Sequence, residues 1–433
     1  MHRQISLFAL ALLAMGLFLA TPAAADDTAA LREEVKQLQE RLDNMTQSGL
    51  DQEVEDYLAS NQASQNAQGG SRWDDVTVHF RFLAQGVASV GYGEDATGTS
   101  NDHDVQGLAD LDFDFNITEN LRGFIYLTTR SGNRATGLPL GQGTTAAGLT
   151  DGIGTDGNTG VTGTGLAVYE TGLEHAMALG STTLHWQVGK LDPRTRFGQN
   201  AYADSAHTQF MNNGFTDSSA ILWTSTATNP NQYAGMFGWI ELGANKNMTL
   251  AFGWFNATGQ FFNNGQFYIQ LHIARESNGR PMNIRIFGTY DKMNLDASGD
   301  GYAGGGVSFD MKATDTLGVF VRVVANGSDV NPVDLDAVVG VAWNVSSSRP
   351  DDVLGIGVGW ASLQNVTQGS FAPLAFGEDT ELTVEVYYNR MEEGGKLQIT
   401  PFLQFISDPA QTTPVRRSED SIFLLGLRIF VHF

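Results

Sequence analysis

From residue 73 to the last residue, hydrophobic and polar positions alternate along the chain in steps of two. The final stretch, SIFLLGLRIFVHF (residues 421–433), shows this pattern clearly. One of its two registers contains only large apolar residues, namely Phe423, Leu425, Leu427, Ile429, Val431 and Phe433. Because successive side chains of a strand point to opposite faces, this spacing predicts a β-strand with one apolar and one mixed face. It raises the question of why the chain should end on so apolar a strand.

The same alternation predicts sixteen strands. They lie near 76–90, 105–117, 121–130, 165–177, 182–191, 232–243, 247–257, 266–277, 281–291, 301–313, 315–326, 335–346, 352–363, 380–392, 395–407 and 419–433. Strands of roughly 10 to 15 residues suit the ~9–11 tilted residues that cross a bilayer better than the ~5–6 residues of a soluble sandwich strand. Short connections also alternate with long ones. The sequence therefore predicts an all-β fold, a 16-stranded antiparallel transmembrane β-barrel over residues 73–433. A further strand pairing at 220–226 would raise the count to eighteen.

The first 72 residues follow a different plan. Residues 1–25 combine a basic start, an apolar run and three alanines before acidic residues, which predicts a signal peptide for Sec export, cleaved near Ala25. Residues 26–58 place apolar side chains at heptad spacing, at Leu31, Val35, Leu38, Leu42 and Met45. This spacing predicts a short periplasmic helix, which either leans alone on the barrel mouth or joins protomers as a coiled coil. Residues 59–72 are a polar linker.

Composition and motifs argue against several classes of function. The formal net charge of −23 disfavours a nucleic-acid partner. The chain has no cysteine for a disulfide or a thiolate metal site, and its eight histidines lie far apart. The stretch GIGTDG (152–157) fits the GxGxxG pattern, but it lacks the preceding strand and following helix of a dinucleotide site. We therefore expect no cofactor, no metal, no catalytic residue and no enzyme activity.

If the apolar register of each strand faces lipid, the other register forms the inner wall of the barrel. The stretch LADLDFDFNI (108–117) shows the alternation, because its aspartates would point inward between outward leucine and phenylalanine residues. The predicted wall residues are Arg81, Asp110, Asp112, Asp114, Arg122, Tyr126, Glu241, His272, Arg285, Arg322, Glu385, Tyr387 and Arg428. These side chains would either contact a passing solute or serve only as a solvated wall of paired charges.

One connection is unusually long for a compact fold and carries many aromatic and charged residues. Such connections are usually functional. We expect residues 192–231 to fold into the barrel as a constriction loop. The candidate constriction residues are Asp192, Arg194, Arg196, Phe197 and Trp223.

Three stretches resemble the carbohydrate-selective porins of the OprB family. They are GKLDPRTRFGQNAYADSAHTQFMNNGF (189–215), SSSRPDDVLGIGVGWASL (346–363), and ELTVEVYYNRMEEGGKLQITPFLQFISDPA (381–410) together with the ending GLRIFVHF (426–433). The resemblance covers most of residues 75–433. It implies a sixteen-stranded channel in the bacterial outer membrane that carries monosaccharides into the periplasm by passive diffusion. It also implies a central constriction of arginine, acidic and aromatic groups.

Two other functions remain open. The net charge and the aspartates at 110, 112 and 114 would also suit a general porin that prefers cations. Alternatively, the barrel could anchor an envelope-tethering protein whose residues 27–60 contact peptidoglycan. The expected partners are sugars as transported solutes, outer-membrane lipid and lipopolysaccharide, and two further copies of this chain in a homotrimer.

Overall fold

The computed structural model describes twelve stretches of the chain. They are 76–90, 103–132, 167–180, 182–218, 220–221, 233–243, 245–256, 265–292, 301–327, 333–364, 380–408 and 421–433. The predicted signal peptide, N-terminal helix and polar linker lie outside these residues. A search of the described residues finds no helix that is both long and apolar enough to span a membrane.

The described residues form sixteen strands. In chain order they are β1 Val76–Val90, β2 His103–Thr118, β3 Leu121–Gly132, β4 Ala167–Leu179, β5 Thr182–Leu191, β6 Tyr233–Leu242, β7 Met248–Asn256, β8 Gln266–Ser277, β9 Arg280–Asp291, β10 Tyr302–Lys312, β11 Leu317–Asn326, β12 Val333–Trp343, β13 Val353–Leu363, β14 Thr380–Glu392, β15 Leu397–Ser407 and β16 Ser421–His432. A 3-10 turn, Pro193–Thr195, and a short helix, Asn213–Thr216, lie between β5 and β6.

The strands close into a single antiparallel barrel. Each strand lies beside its neighbours in sequence, and β1 pairs with β16. The predicted sixteen-stranded barrel is thereby confirmed. Because β5 pairs directly with β6, the barrel has no place for the additional strand considered at 220–226.

The seam between the first and last strands explains the apolar ending of the chain. The register pairs Arg81 with His432 and Val87 with Gly426. The last residue continues this pairing, since Phe433 and Phe80 exchange two backbone hydrogen bonds of 2.9 and 3.2 Å. The apolar strand β16 therefore completes the sheet between β15 and β1.

The two faces of the sheet differ in polarity, as the period of two predicts. Along β8, for example, buried Tyr268 and Gln270 alternate with exposed Phe267 and Ile269. Many large apolar side chains are exposed on the outer face, among them Leu425 at 62%. Exposed apolar surface of this extent is typical of a face that contacts lipid or another protein.

The connections differ between the two ends of the barrel. At one end, called here the turn end, the connections are as short as the two residues 278–279 between β8 and β9. The other end, called here the loop end, has the longer connections, such as 133–166 between β3 and β4. The connection at 344–352 is long for the turn end, and it is folded around an ion pair between Arg349 and Asp352.

Candidate functional site

After β5 the chain turns into the barrel and contacts the inner wall on many strands. This part, described over 192–218 and 220–221, is called here the inner segment. The backbone N–H of Gly198 donates to the side chain of Gln270 on β8 at 2.8 Å. The side-chain amide of Asn200 donates to Ser308 on β10 at 3.1 Å. Arg428 of β16, on the opposite side of the barrel from β8, donates to the carbonyl oxygen of Gln209 at 3.0 Å. Contacts to opposite sides of a closed barrel require the inner segment to lie inside it.

The inner segment also extends along the height of the barrel. It begins at the loop end, directly after β5. The carbonyl oxygen of Thr208 accepts hydrogen bonds from Asn389 at 2.6 Å and from Gln398 at 3.2 Å. Gln398 is the second residue of β15, next to the turn end. The inner segment therefore covers part of the wall from one end of the barrel nearly to the other.

A buried carboxylate on β14 holds the middle of the inner segment. Glu385 is 0% exposed and accepts hydrogen bonds from the backbone N–H groups of Met211, at 2.7 Å, and Asn212, at 2.9 Å. Gln404 of β15 donates to the same carboxylate at 2.9 Å. Both side-chain oxygens of Glu385 thus accept a backbone N–H group, and this pair of contacts fixes the inner segment to the wall.

Two buried arginines bind backbone carbonyl groups of the inner segment, before and after the two residues that Glu385 binds. Arg322 of β11 donates to the carbonyl oxygens of Gly214, at 2.7 Å, and Thr216, at 3.1 Å. Arg428 of β16 donates to the carbonyl oxygens of Gln209, at 3.0 Å, and Ala206. Their exposed fractions are 2% and 0%, so both guanidinium groups are covered by the inner segment.

A fourth anchor lies on β9 and β10. Arg285 forms an ion pair with Asp310 at 2.6 Å, and Asn283 donates to the other oxygen of the same carboxylate at 2.6 Å. Asp310 also accepts from the backbone N–H of Ala201 at 3.2 Å. Arg285 is only 9% exposed. Together with the anchors on β11, β14 and β16, this pair fixes the inner segment to the second half of the wall.

The start of the inner segment is fixed to β4 and β5 by the predicted charged residues. Arg196 forms an ion pair with Glu170 at 2.7 Å and donates to Gln187 at 2.8 Å. Arg194 pairs with Asp192 at 2.9 Å. Asp192 is fully buried and also accepts a hydrogen bond from the hydroxyl of Tyr169. These contacts direct the chain inward immediately after β5.

Aromatic residues complete the packing of the inner segment. Phe197 stacks on Tyr268 at a centroid distance of 5.0 Å and meets Phe237 edge-on at 5.3 Å. Phe210 stacks on Phe215 at 4.8 Å, and both are fully buried. The other aromatic residue predicted for the constriction, Trp223, lies outside the described residues.

A different arrangement occurs on the first four strands, where two of the predicted arginines remain partly accessible. Arg81 bridges Asp112 at 2.8 Å and Asp110 at 3.5 Å. A second group of contacts lies beside it. Arg122 bridges Glu174 at 2.8 Å and Asp114 at 3.5 Å. The hydroxyl of Tyr126 donates to Asp114 at 3.2 Å. The side chains of the two arginines are 35% and 40% exposed. These residues of β1–β4 are called here the open wall.

The remaining predicted residues lie outside both groups. Glu241 forms an ion pair with Lys246 at the turn end, at 2.9 Å. His272 bonds the side chain of Asn283, and Tyr387 is buried against Phe210. Sequence reasoning missed Glu170 and Glu174, the acidic partners on β4. Their position on the inner register of that strand, opposite Tyr126 and Arg122, was the signal that could have found them.

The inner face therefore offers charged and hydroxyl groups that are already paired, facing a segment that narrows the barrel. Such a surface can exchange hydrogen bonds with a hydrophilic solute without holding it tightly. Within the part of the chain that the structure describes, no group of three or more His, Asp or Glu residues is placed to hold a metal ion.

Comparisons with known proteins agree with this architecture. The family described as "Carbohydrate-selective porin, OprB family" matches residues 236–433. The structure of OprB from Pseudomonas putida is similar over 85% of this chain and 97% of its own, with a TM-score of 0.64 and 16% sequence identity. A BenF-like porin from Pseudomonas fluorescens aligns over 84% of this chain and 100% of its own, with a TM-score of 0.47 and 10% identity. No curated protein matches the sequence. Residues 236–433 thus match the carbohydrate-selective porin family OprB, which confirms the resemblance recognised in the sequence.

Proposed function

We propose that this protein is a bacterial outer-membrane channel through which sugars, as monosaccharides, diffuse passively into the periplasm. The observation that carries the proposal is the open wall, where Arg81 and Arg122 stay accessible while Arg322 and Arg428 are covered by the inner segment. A polar strip beside an inward-folded segment leaves a passage bounded by both. The match of residues 236–433 to carbohydrate-selective porins supports the assignment of sugars as solutes.

The chemistry of the open wall suits a polyhydroxylated solute. Each sugar hydroxyl can donate to a carboxylate and accept from a guanidinium group, and the open wall offers both within one row. Arg122 lies between Glu174 and Asp114, so a hydroxyl that approaches the arginine also meets an acceptor. Because these groups are already joined in ion pairs, a solute that binds them replaces existing contacts and gains little net free energy. Weak binding of this kind is what a channel needs for release.

Most of the predicted site residues thereby divide into two proposed roles. We assign solute contact to residues of the open wall, namely Arg81, Asp110, Asp112, Asp114, Arg122 and Tyr126. We assign positioning of the inner segment to the charged residues that it covers or that begin it, namely Asp192, Arg194, Arg196, Arg285, Arg322, Glu385 and Arg428. Phe197 packs the inner segment on the wall. Glu241 and Trp223 keep their predicted lining role as a proposal.

The outer face supports a position in the outer membrane. Its exposed side chains are large and apolar along every part of the circumference that the structure describes, for example Ile286, Val339 and Phe423. The strands have nine to sixteen residues, which is enough to cross a bilayer when tilted. Export by the predicted signal peptide, cleaved near Ala25, would deliver the chain to the periplasm for insertion.

A liposome swelling assay tests the sugar assignment. Purified protein is reconstituted, and swelling rates are compared for glucose, arabinose and a neutral amino acid of similar size. We expect both sugars to enter faster than the amino acid. Replacing Arg122 by glutamine should reduce this difference, whereas replacing the turn-end Lys246 by glutamine should leave it unchanged. Equal rates for all three solutes in the unaltered protein would remove the sugar assignment.

A second candidate function rests on the charge balance of the open wall. Four carboxylates, Asp110, Asp112, Asp114 and Glu174, face two arginines, Arg81 and Arg122. This excess of negative charge favours cations over anions in the passage. A reversal potential measured across a planar bilayer in a KCl gradient separates the two candidates. Strong cation preference together with equal swelling rates would favour a general cation-preferring porin.

A further inference from the structure

Several glycines of the inner wall lie directly beneath aromatic rings of the inner segment. The clearest case is Gly318 on β11. A Cβ atom at this position would lie 2.2 Å from the ring of Tyr202. Real Cβ atoms stay at van der Waals distance from ring carbons, at about 3.5–4.0 Å, so the ring occupies the space that any side chain would need. Only glycine leaves room for the ring at this position. An inner-wall glycine whose missing side chain makes room for a ring of the inner segment is called here a socket.

A second socket lies on β7. A Cβ atom at Gly253 would lie 3.0 Å from two ring atoms of Phe197 and 2.6 Å from the ring of Phe255. Phe197 is 1% exposed and packs edge-on against Phe255 at 6.5 Å. The absence of a side chain at residue 253 therefore allows Phe197 to approach the strand itself.

A third socket lies on β13, in the alternating glycines of the stretch LGIGVG (354–359). A Cβ atom at Gly357 would lie 2.7 Å from the rings of both Phe210 and Phe215. Neighbouring Gly359 would place a Cβ atom 3.4 Å from Phe215. The alternation follows the period of the strand, so the bare positions share the inner face.

Backbone conformation does not explain these glycines. None of the three residues Gly253, Gly318 and Gly357 has the positive φ angle that would require glycine. Glycine in the interior of a strand lowers stability relative to residues with side chains, so its presence needs another reason. Close approach of a second part of the chain is such a reason, and the ring contacts supply it.

We propose that Gly253, Gly318 and Gly357 are positioning residues that set the cross-section of the channel. Each lets one or two aromatic rings of the inner segment seat against the wall, so that the segment takes up little of the passage. The proposal rests on the proposed function only in assuming that an open passage exists. It concerns the width of that passage, whichever solute passes.

The expected effect of filling a socket has a definite direction. Strand β11, which carries Gly318, is hydrogen-bonded to β10 and β12 and cannot easily move away from the Tyr202 ring. An added methyl group at residue 318 must therefore push the ring about 1.3–1.8 Å away from the wall to restore normal contact. The ring moves toward the passage and narrows it.

Single-channel conductance in KCl tests this direction. We expect Gly318→Ala to lower the conductance by about 20% or more, because ions must pass a narrower section. Gly253→Ala and Gly357→Ala should act in the same direction. The matched control is Gly123→Ala, because a Cβ atom there would also lie 2.2 Å from a ring, that of Phe115 on the outer face. Gly86→Ala is a second control, since no atom lies within 4 Å of its added carbon.

A double variant makes the test independent of general damage to the fold. Removing the ring in Tyr202→Ala should abolish the effect of Gly318→Ala, so that the double variant conducts like Tyr202→Ala alone. Circular dichroism and thermal unfolding are recorded for each variant to establish that the barrel is intact. Wild-type conductance in folded Gly318→Ala would overturn the proposal. A reduction that persists without the Tyr202 ring would overturn it as well. Both results are read without sugar, so the sugar assignment can fail while this inference stands.

Discussion

Phe433, the last residue of the chain, and Phe80 of β1 exchange two backbone hydrogen bonds and stack their rings at a centroid distance of 6.3 Å. The pair lies where the first and last strands meet, at the turn end of the barrel. A closed barrel leaves no strand edge unpaired, and this pair is the final contact in that closure. Phe433 is thus part of the hydrogen-bonded sheet.

Removing Phe433 should weaken the seam between β1 and β16. Deletion of the residue eliminates two hydrogen bonds, which together contribute about 1–3 kcal/mol, in addition to the ring contact. We expect the free energy of unfolding in detergent to fall accordingly when it is measured with a denaturant. The variant Phe433→Ala keeps the backbone bonds and loses the ring, so it should show a smaller decrease. Equal stability of the deletion variant and the unaltered protein would show that the terminal pair does not stabilise the seam.

Glu385→Gln should loosen the inner segment. The glutamine side chain has one carbonyl oxygen and one NH₂ group, so it cannot accept hydrogen bonds from Met211 and Asn212 in the way that the carboxylate does. A buried N–H that loses its acceptor costs about 1–3 kcal/mol. We expect larger fluctuations of the single-channel current and a higher mean conductance.

The control for this experiment is Glu174→Gln on the open wall. Glu174 bonds the side chains of Arg122 and Gln187 rather than backbone groups of the inner segment. This variant should shift the reversal potential toward less cation preference, while the fluctuations of the single-channel current stay as small as in the unaltered protein. A quiet current in Glu385→Gln would contradict the anchoring role of Glu385.

The sequence was sufficient to predict the barrel but not the division of its inner wall. The number of strands and the face to which each side chain points follow from a local period of two, so they can be recognised in short windows of sequence. Arg81 and Arg428 both occupy inward positions, yet one is 35% exposed in its side chain and the other is fully buried. The difference depends on contacts such as that between Arg428 and Gln209, which are 219 residues apart in the sequence. No local pattern indicates which wall residues such a contact will cover.

The motif that carried much of the family resemblance has a structural role that the sequence did not reveal. Asp352 in the stretch RPDD accepts hydrogen bonds from Arg349 at 2.7 Å, from the hydroxyl of Tyr388 at 2.5 Å and from the backbone N–H of Met391 at 2.9 Å. The Arg349 side chain and these other donors hold the pKa of Asp352 at about 2, although burial alone would raise it. The motif therefore joins the connection at 344–352 to the turn-end part of β14 and lies apart from the open wall.

Residues 27–60 lie outside the described residues, and their proposed role is assembly. Parallel helices in the periplasm could bury the predicted heptad positions of three chains and so hold three membrane barrels together. We expect sedimentation of the detergent-solubilised protein to show a trimer, and deletion of residues 27–60 to release single barrels. A deletion variant that stays trimeric would place the interface on the barrel instead. A single chain in both preparations would end the coiled-coil hypothesis and leave the helix for another role, such as contact with peptidoglycan.

Asp204 should make the stability of the protein depend on pH in a direction opposite to that of an ordinary paired carboxylate. Burial, together with the nearby carboxylate of Asp310, raises the pKa of Asp204 from 3.8 to about 6, although Arg322 and Arg285 favour its charged form. Between these two values the folded protein holds a proton that the unfolded chain has released. The contribution of Asp204 to stability is therefore lost as the pH rises through this window.

The variant Asp204→Asn isolates this effect because its side chain is neutral at every pH. Thermal unfolding midpoints of both proteins are compared in detergent from about pH 4 to about pH 7, where other titrating groups affect the two proteins equally. We expect the midpoint of the unaltered protein to fall relative to that of Asp204→Asn across this range and then to level off. A difference between the two unfolding midpoints that stays constant with pH would show that Asp204 titrates at its ordinary pKa in the folded protein. A difference that grows in favour of the unaltered protein would mean that its arginine neighbours outweigh its burial.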